Sequence, residues 1–305
     1  MLRREVKMVL SSPWIWLTVG LVTVSLFIMR KTTLFASYTL ELAEGVLTVP
    51  HSSPSKCVIG MLGNKLSKFF PVVCGVPAAL FSCEEWNSGF NRMQLTRITP
   101  GKYMAKKVVS VGLAGALILG IPAFIMWLIP VLRGAYSDYA FVLSSDIFYG
   151  YLEDQVFTRQ LMSSSIRDVI YPIIAADPDA FYFLGEMGQI EVFRQLPLSV
   201  YVFADVKLAA AAFLQCLMVG FGWSMFALAV SAWVPNRYIT LLLPVLVLQY
   251  VNIFMPVEWG CFVSSYCVIG YPYSSLMTTV FAQAIRCCLS LVLYAWGIGR
   301  RAQNG

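Results

Sequence analysis

The chain has 305 residues, of which 58% are hydrophobic and 12% are charged, and its formal net charge is +6. Soluble domains carry about 25% charged residues, so this composition excludes an ordinary soluble domain and indicates a membrane protein. The modest positive charge does not indicate nucleic-acid binding, because cations also collect on the cytoplasmic side of membrane proteins.

Residues 1–12 predict a helix that lies in the membrane interface. Apolar residues recur at helical spacing on one face, and Arg3, Arg4 and Lys7 lie on the other. Such a helix places its apolar face among lipid chains and its cations among headgroups. The alternative is a frayed tail whose cations only orient the chain.

Six apolar runs predict six membrane-spanning helices, because a hydrocarbon core of about 30 Å needs about 20 apolar residues per helix. They are residues 13–29, 69–82, 108–132, 204–233, 239–255 and 276–299. The second run is short, so its helix has to borrow from residues 66–68 or continue past Cys83. Pro71 and Pro77 also predict a kink or break there. The expected fold class is therefore an all-α integral membrane protein.

The distribution of Lys and Arg predicts a multi-pass protein of the cell membrane with both termini in the cytoplasm. In this orientation the cytoplasmic segments hold cations at a higher density than the longer outside segments, and most acidic residues fall outside. Arg30 and Lys31, just beyond the first span, argue mildly against it.

The spans divide the chain into four parts. Residues 1–12 form the interfacial helix, and residues 13–132 form spans one to three. Residues 133–203 are rich in aromatic side chains, which argues against disorder and predicts a small, mostly helical external subdomain. Residues 204–305 form spans four to six and a cytoplasmic tail.

No metal site is predicted. The eight cysteines are scattered without a CxxC pair, and the only histidine is His51, whereas zinc and iron–sulfur sites need clustered ligands. Cys261 and Cys267 are able to form a disulfide if their loop lies outside, which the sequence leaves open.

The charged segment FSCEEWNSGFNRMQLTRITPGKYMAKK, residues 81–107, separates the second and third runs. Within it, residues 84–99 predict a short helix along the cytoplasmic face. Gly89 allows the chain to bend, and Thr99-Pro100-Gly101 ends the helix. A short helix of mixed polarity is suited to docking in a groove on another protein.

This segment resembles the coupling-helix region of ABC-2 type ABC transporter permeases. The resemblance is carried by the pattern Glu85-xxx-Gly89, Met93-Gln94-Leu95 and Ile98-Thr99-Pro100-Gly101-Lys102-Tyr103-xx-Lys106. A weaker resemblance to the same family lies at residues 229–239, between spans four and five. The layout of an interfacial helix, six spans and an intracellular helix between spans two and three is also similar.

The resemblance implies one half of a transmembrane dimer, with an identical or a different second permease subunit. A separate nucleotide-binding ATPase subunit, which holds ATP and Mg²⁺, would drive export of a substrate. The implied docking residues are Glu84, Glu85, Gly89, Arg92, Met93, Leu95, Arg97 and Ile98. The apolar members would enter a groove on the ATPase and the arginines would meet its acidic rim. The two glutamates would pair with Lys106, Lys107 or the N-terminal helix.

The chain is not expected to be an enzyme by itself or to hold a cofactor. It has no G-x-x-x-x-G-K-[ST] phosphate loop, and the nearest approach, residues 60–65, lacks the closing Gly-Lys-Ser/Thr. An alternative starts from Glu84 and Glu85, which resemble the paired glutamates of CAAX-type intramembrane proteases. That motif requires an arginine where this chain has Gly89, and His51 lies in an outside loop.

A secondary transporter or channel is the other alternative, and Arg286 motivates it. A charge in mid-membrane costs at least about 2.5–3.5 kcal/mol, so it indicates a functional role by default. The candidate acceptors are Gln283, Gln249 and Asn252, and with Arg286 they form the predicted translocation path. A purely structural role for Arg286 stays open.

Overall fold

A computed structural model of the protein describes residues 2–35, 37–42, 45–50, 54–62, 65–136, 198–254 and 276–303. These residues are predominantly helical. Three helices are long and apolar enough to cross a membrane, namely Pro100–Leu132, Asp205–Trp233 and Val280–Arg301. Pro13–Met29 and Arg237–Tyr250 are shorter apolar helices. The chain is therefore a helical membrane protein, as its composition predicts.

The elements are numbered in chain order over the described residues. The helices are α1 (Leu2–Leu10), α2 (Pro13–Phe35), α3 (Pro54–Leu62), α4 (Phe70–Pro77), α5 (Cys83–Asn87), α6 (Phe90–Arg97), α7 (Pro100–Leu132), α8 (Leu198–Trp233), α9 (Arg237–Phe254) and α10 (Leu276–Gln303). Two strands, β1 (Ser37–Leu42) and β2 (Gly45–Pro50), lie between α2 and α3. Most of the predicted external subdomain, residues 137–197, and the loop with Cys261 and Cys267 lie outside the described residues, as does His51.

The short second run forms an irregular helix that extends beyond it at both ends. A 3₁₀ turn at Lys65–Phe69 leads into α4, and a π-helical turn at Ala78–Ser82 joins α4 to α5. Pro71 lies in the first turn of α4, where its missing N–H is not needed. Pro77 ends α4, and the Cys83 N–H then bonds to the Ala78 carbonyl five residues back. The predicted extension and irregularity are both confirmed.

The hairpin of β1 and β2 is an addition to the predicted helical fold. The strands are antiparallel, with Ser37 opposite Pro50 and Leu42 opposite Gly45. α3 follows, buries Cys57, Val58 and Met61, and packs against α7 and α8. This region therefore contributes to the core.

α8 is the central helix of the described bundle, since it packs against α3, α4, α7, α9 and α10. Its closest neighbour is α7, and small residues allow the approach. A Cβ on Gly115 would lie 2.7 Å from the Gly220 carbonyl oxygen, and a Cβ on Gly112 would overlap the ring of Phe221. The apolar core lies along this interface.

The start of α8 carries a buried carboxylate. Asp205 accepts hydrogen bonds from Ser55 Oγ at 2.5 Å and from the Tyr136 hydroxyl at 2.6 Å. The sequence places Asp205 and Lys207 where charges reach lipid headgroups. That expectation is wrong for Asp205, which is fully buried, whereas Lys207 is exposed. Asp205 joins α3, α8 and the residues after α7 at one end of the bundle.

Candidate functional site

The candidate site is the segment between α4 and α7, where the chain reverses at Gly89. α5 ends at Asn87, and the Ser88 N–H donates to the Glu84 carbonyl over 2.9 Å. Gly89 has φ +74°, a left-handed conformation that costs other residues about 1–2 kcal/mol. α6 begins at the next residue. The predicted bend at Gly89 is confirmed.

The end of α6 differs from the prediction. α6 ends at Arg97, and Ile98 is extended with φ −131° and ψ 140°. Pro100 is the first residue of α7, a position where its fixed φ suits the start of a helix. Pro100 and Gly101 therefore begin the next helix, whereas the sequence predicts that they end the previous one and that the third span starts at residue 108.

The predicted apolar set does not form one face of α6. Met93 is 56% exposed, whereas Leu95 is partly buried and packs against the buried cluster that contains Tyr103 and Tyr294. Residues two apart on a helix lie roughly 200° around its axis, so Met93 and Leu95 point in opposite directions. Phe90, 43% exposed, joins Met93 on the outer surface. Arg97 is exposed, and the Arg92 side chain lies outside the described part of the structure.

Beneath α6 lies a network of buried ion pairs. Lys107 Nζ is 2.5 Å from Glu85 Oε1 and 3.5 Å from Glu5 Oε2, and Lys106 Nζ is 2.5 Å from Glu5 Oε1. The Lys107 side chain is only 2% exposed. Burial raises the pKa of Glu85, and the positive charge of Lys107 opposes that rise. The predicted pairing of Glu85 with Lys107 is confirmed, and α1 is tied to α7 through Glu5.

Uncharged polar groups complete this network. Asn91 and Tyr103 are fully buried, and their side chains lie 2.6 Å apart. With its nitrogen toward Glu85, the Asn91 amide donates to Glu85 Oε2 over 2.8 Å. Tyr103 also hydrogen-bonds to the Tyr294 hydroxyl on α10. We call Glu5, Glu85, Asn91, Tyr103, Lys106, Lys107 and Tyr294 the anchor network. It connects α1, α5, α6, α7 and α10.

Glu84 points away from the anchor network. Its Oε1 lies 3.3 Å from Arg237 Nη2, at the start of α9. The prediction that Glu84 pairs with Lys106, Lys107 or the N-terminal helix is therefore wrong. Next to this pair, Cys83 Sγ lies 3.2 Å from Thr240 Oγ1. These contacts bring the segment of residues 229–239 beside the segment of residues 84–99.

A groove of about 440 Å³ opens beside the exposed face of α6. Its lining residues are Met8, Phe81, Glu84, Glu85, Ser88, Phe90 and Met93. Apolar side chains and carboxylates thus share one concave surface at the junction of α1, α5 and α6.

The predicted translocation residues are brought together only in part. Arg286 is 8% exposed, and its guanidinium carbon lies 4.2 Å from the centre of the Trp223 ring. Gln283 lies one turn away on α10, with 1% exposure. Gln249 is on α9, which packs against α4 and α8. The Asn252 side chain lies outside the described residues.

The geometry does not support a two-glutamate catalytic site. Glu84 is directed to Arg237 and Glu85 to Lys107, so the two carboxylates do not converge on one water position. Over the described ranges, the structure contains no group of three or more His, Cys, Asp or Glu residues able to hold a metal ion.

Comparison with known protein families, with curated proteins and with solved structures finds no match to the chain.

The residues of these sites that the sequence did not predict include Glu5, Asn91, Tyr103, Tyr294 and Trp223. Glu5 lies among cations in a short amphipathic helix. The same sequence pattern is found whether such a glutamate is solvated or buried, so it does not predict a buried ion pair. Asn91 and Tyr103 carry a weak signal, because Asn91 lies at the start of α6 and Tyr103 near the start of α7, so both fall near the reversal. Nothing local distinguishes Trp223 from a core tryptophan.

Proposed function

We propose that the chain is the permease subunit of an ATP-driven exporter of the ABC-2 type. Two permease subunits would form the substrate pathway, and separate ATPase subunits that bind ATP and Mg²⁺ would drive it. The proposal includes six spans, both termini in the cytoplasm of a multi-pass cell-membrane protein, and an external subdomain at residues 133–203.

One observation carries the proposal: one side of α6 packs against buried residues of the protein, and its other side is exposed. Asn91 and Leu95 fix it to the anchor network and the core, while Phe90 and Met93 face outward beside the groove. A helix with exposed apolar side chains next to a groove suits a protein partner. A force applied to it would reach α7 and α10 through Tyr103 and Tyr294.

A second observation supports the same reading. The two sequence segments that resemble the permease family touch each other through Glu84 and Arg237, whose charged atoms lie 3.3 Å apart. Segments far apart in the chain therefore combine into one surface, which a single partner is able to cover.

The test is co-purification from the native membrane. The substitution Met93→Asp places a charge on the exposed face of α6 and should weaken capture of an ATPase about tenfold or more, as expected for a central interface residue. Met93→Leu keeps the apolar surface and should bind normally. Deletion of residues 90–99 should abolish capture. Capture that survives this deletion would overturn the docking claim and favour a channel or secondary transporter.

A further inference from the structure

A cluster of arginine and tryptophan side chains lies at the end of the bundle that holds the anchor network. Arg301 Nη2 donates to the Trp233 carbonyl over 2.9 Å, and the Arg301 guanidinium lies 4.7 Å from the centre of the Trp86 ring. The Arg300 guanidinium lies 5.7 Å from the centre of the Trp233 ring. Trp233 ends α8, and Arg237 begins α9. The end of α10 therefore brings two arginines to the turn that carries a third.

The exposed surface of α10 places this cluster at the depth of lipid headgroups. A series of exposed side chains recurs every three or four positions and so follows one face of the helix. Its members are Phe281, Ile285, Leu289, Val292, Trp296 and Arg300. Exposed apolar side chains of a membrane helix face lipid, and tryptophan is enriched where the hydrocarbon core meets the headgroups. Arg300 lies one turn beyond Trp296, about 6 Å further along the helix axis, and therefore reaches the headgroup layer.

The start of α9 has the same arrangement. Tyr238, Leu242 and Leu246 are spaced four residues apart and are all exposed. Tyrosine, like tryptophan, is enriched at the membrane–water interface. Arg237 directly precedes Tyr238 and is also exposed. Arg237 and Arg300 thus each end an apolar, lipid-facing surface, and both lie at the same end of the bundle.

Both arginines are able to accept an anion as a further partner. Arg300 has no carboxylate partner in the described part of the chain. Arg237 Nη2 lies 3.3 Å from Glu84 Oε1, but the two side chains are 50% and 64% exposed, and an ion pair so exposed is weak because water screens it. A guanidinium has five N–H donors, so this pair leaves donors of Arg237 for a second anion.

We infer that Arg237 and Arg300 bind the headgroups of anionic phospholipids. Guanidinium groups bind phosphate through paired hydrogen bonds, and the acyl chains would lie along the exposed faces of α9 and α10. In the orientation of the proposed function this end of the bundle faces the cytoplasmic leaflet, where anionic lipids are concentrated. Binding itself requires only this chain.

The experiment is native mass spectrometry of the purified full-length chain in detergent, which separates lipid-bound from lipid-free protein. The probes are phosphatidylglycerol and phosphatidylcholine with identical acyl chains, so that only the headgroup differs. The attraction between a surface arginine and anionic lipid corresponds to about fivefold in affinity. Two arginines should therefore make phosphatidylglycerol bind about 25-fold more tightly than phosphatidylcholine.

Four variants test the assignment. Arg300→Gln and Arg237→Gln should each weaken binding of phosphatidylglycerol about fivefold, whereas Arg300→Lys retains the charge and should retain most of the affinity. Lys207→Gln removes one exposed cation near the opposite end of α8 and should leave the affinity unchanged. Should Arg237→Gln fail to fold, Arg300→Gln decides the outcome alone.

Equal affinity for the two lipids would overturn the inference, as would a loss in Lys207→Gln as large as that in Arg300→Gln. Displacement of phosphatidylglycerol by inorganic phosphate would assign the arginines to a soluble anion and would also overturn it. The same holds if Arg300→Gln prevents capture of an ATPase without changing lipid affinity, since the cluster would then contact a protein.

The proposed function is judged separately, because these lipid titrations contain no ATPase. Preference for phosphatidylglycerol in a chain that captures no ATPase would leave the lipid site and remove the exporter. Capture of an ATPase by a chain without that preference would leave the exporter and remove the lipid site.

Discussion

Two buried cations, Lys107 and Arg286, have opposite surroundings. Lys107 Nζ lies 2.5 Å from a carboxylate oxygen of Glu85 and 3.5 Å from one of Glu5. The Asn91 amide donates a hydrogen bond to the other carboxylate oxygen of Glu85. Arg286 lies against the face of Trp223, next to the Gln283 amide whose two polar atoms have no partner in the described part of the chain. Lys107 is thus paired with carboxylates, whereas Arg286 lies against an aromatic ring.

Lys107 joins α1, α5 and α7 through its ion pairs, whereas Arg286 on α10 contacts the Trp223 ring on α8. Ion pairs and hydrogen bonds between buried groups favour one arrangement of the elements they join. A buried amide without a hydrogen-bond partner among the described residues, such as Gln283, costs about 1–3 kcal/mol of folding free energy. We therefore expect substitutions in the anchor network to destabilise the protein more than substitutions at Gln283.

The largest expected effect comes from Lys107→Met. The substitution removes the partner of Glu85 and leaves a buried carboxylate, which should destabilise the protein by about 3–5 kcal/mol. Thermal unfolding in detergent measures it. Lys102→Met, exposed on the same helix, is the control and should change stability by less than about 0.5 kcal/mol. Equal melting temperatures for the two variants would show that Lys107 is not a structural joint.

An intermediate effect is expected at Gly89, which sets the angle between α5 and α6. A Cβ added at Gly89 or at Gly101 would meet no atom within 4 Å, but of these two glycines only Gly89 has a positive φ. Gly89→Ala should therefore cost about 1–2 kcal/mol, whereas Gly101→Ala, in the first turn of α7, should be neutral or stabilising by up to about 1 kcal/mol. Thermal unfolding of both variants measures this difference, and equal costs would mean that the left-handed turn is not required.

The smallest expected change in stability is at Gln283, where a substitution should stabilise the protein. Gln283→Leu replaces an unsatisfied amide with an apolar side chain of similar size and should stabilise the protein by about 1 kcal/mol. Asn91→Leu, the matched change inside the anchor network, should destabilise it by about 1–3 kcal/mol because Glu85 and Tyr103 lose a partner. Thermal unfolding of both variants measures these two changes in stability. Destabilisation by both would mean that Gln283 is as well satisfied as Asn91.

Much of the helical layout was predictable from the sequence. The runs in α7, α8 and α10 are apolar over enough residues that length alone identifies them. The bend at Gly89 and the pairing of Glu85 with Lys107 were also predicted correctly, because a reversal between two helices brings their adjoining ends together.

The rest depends on contacts between distant parts of the chain. Glu5 and Lys106, or Glu84 and Arg237, are each ordinary charges in their own segments, and only the packing of α1 and α9 selects these pairs. The hairpin carried a local signal, since apolar and polar residues alternate along Ser37–Leu42. These two strands were not predicted from that alternation.

The central proposal is that α6 binds a separate ATPase. A photo-crosslinking amino acid in place of Met93 tests this most directly. After irradiation of intact cells, mass spectrometry identifies the polypeptide attached at that position. The account predicts a protein with a phosphate loop, and no such product from the same crosslinker in place of Leu289. Attachment only to lipid, or to a polypeptide without a phosphate loop, would contradict it.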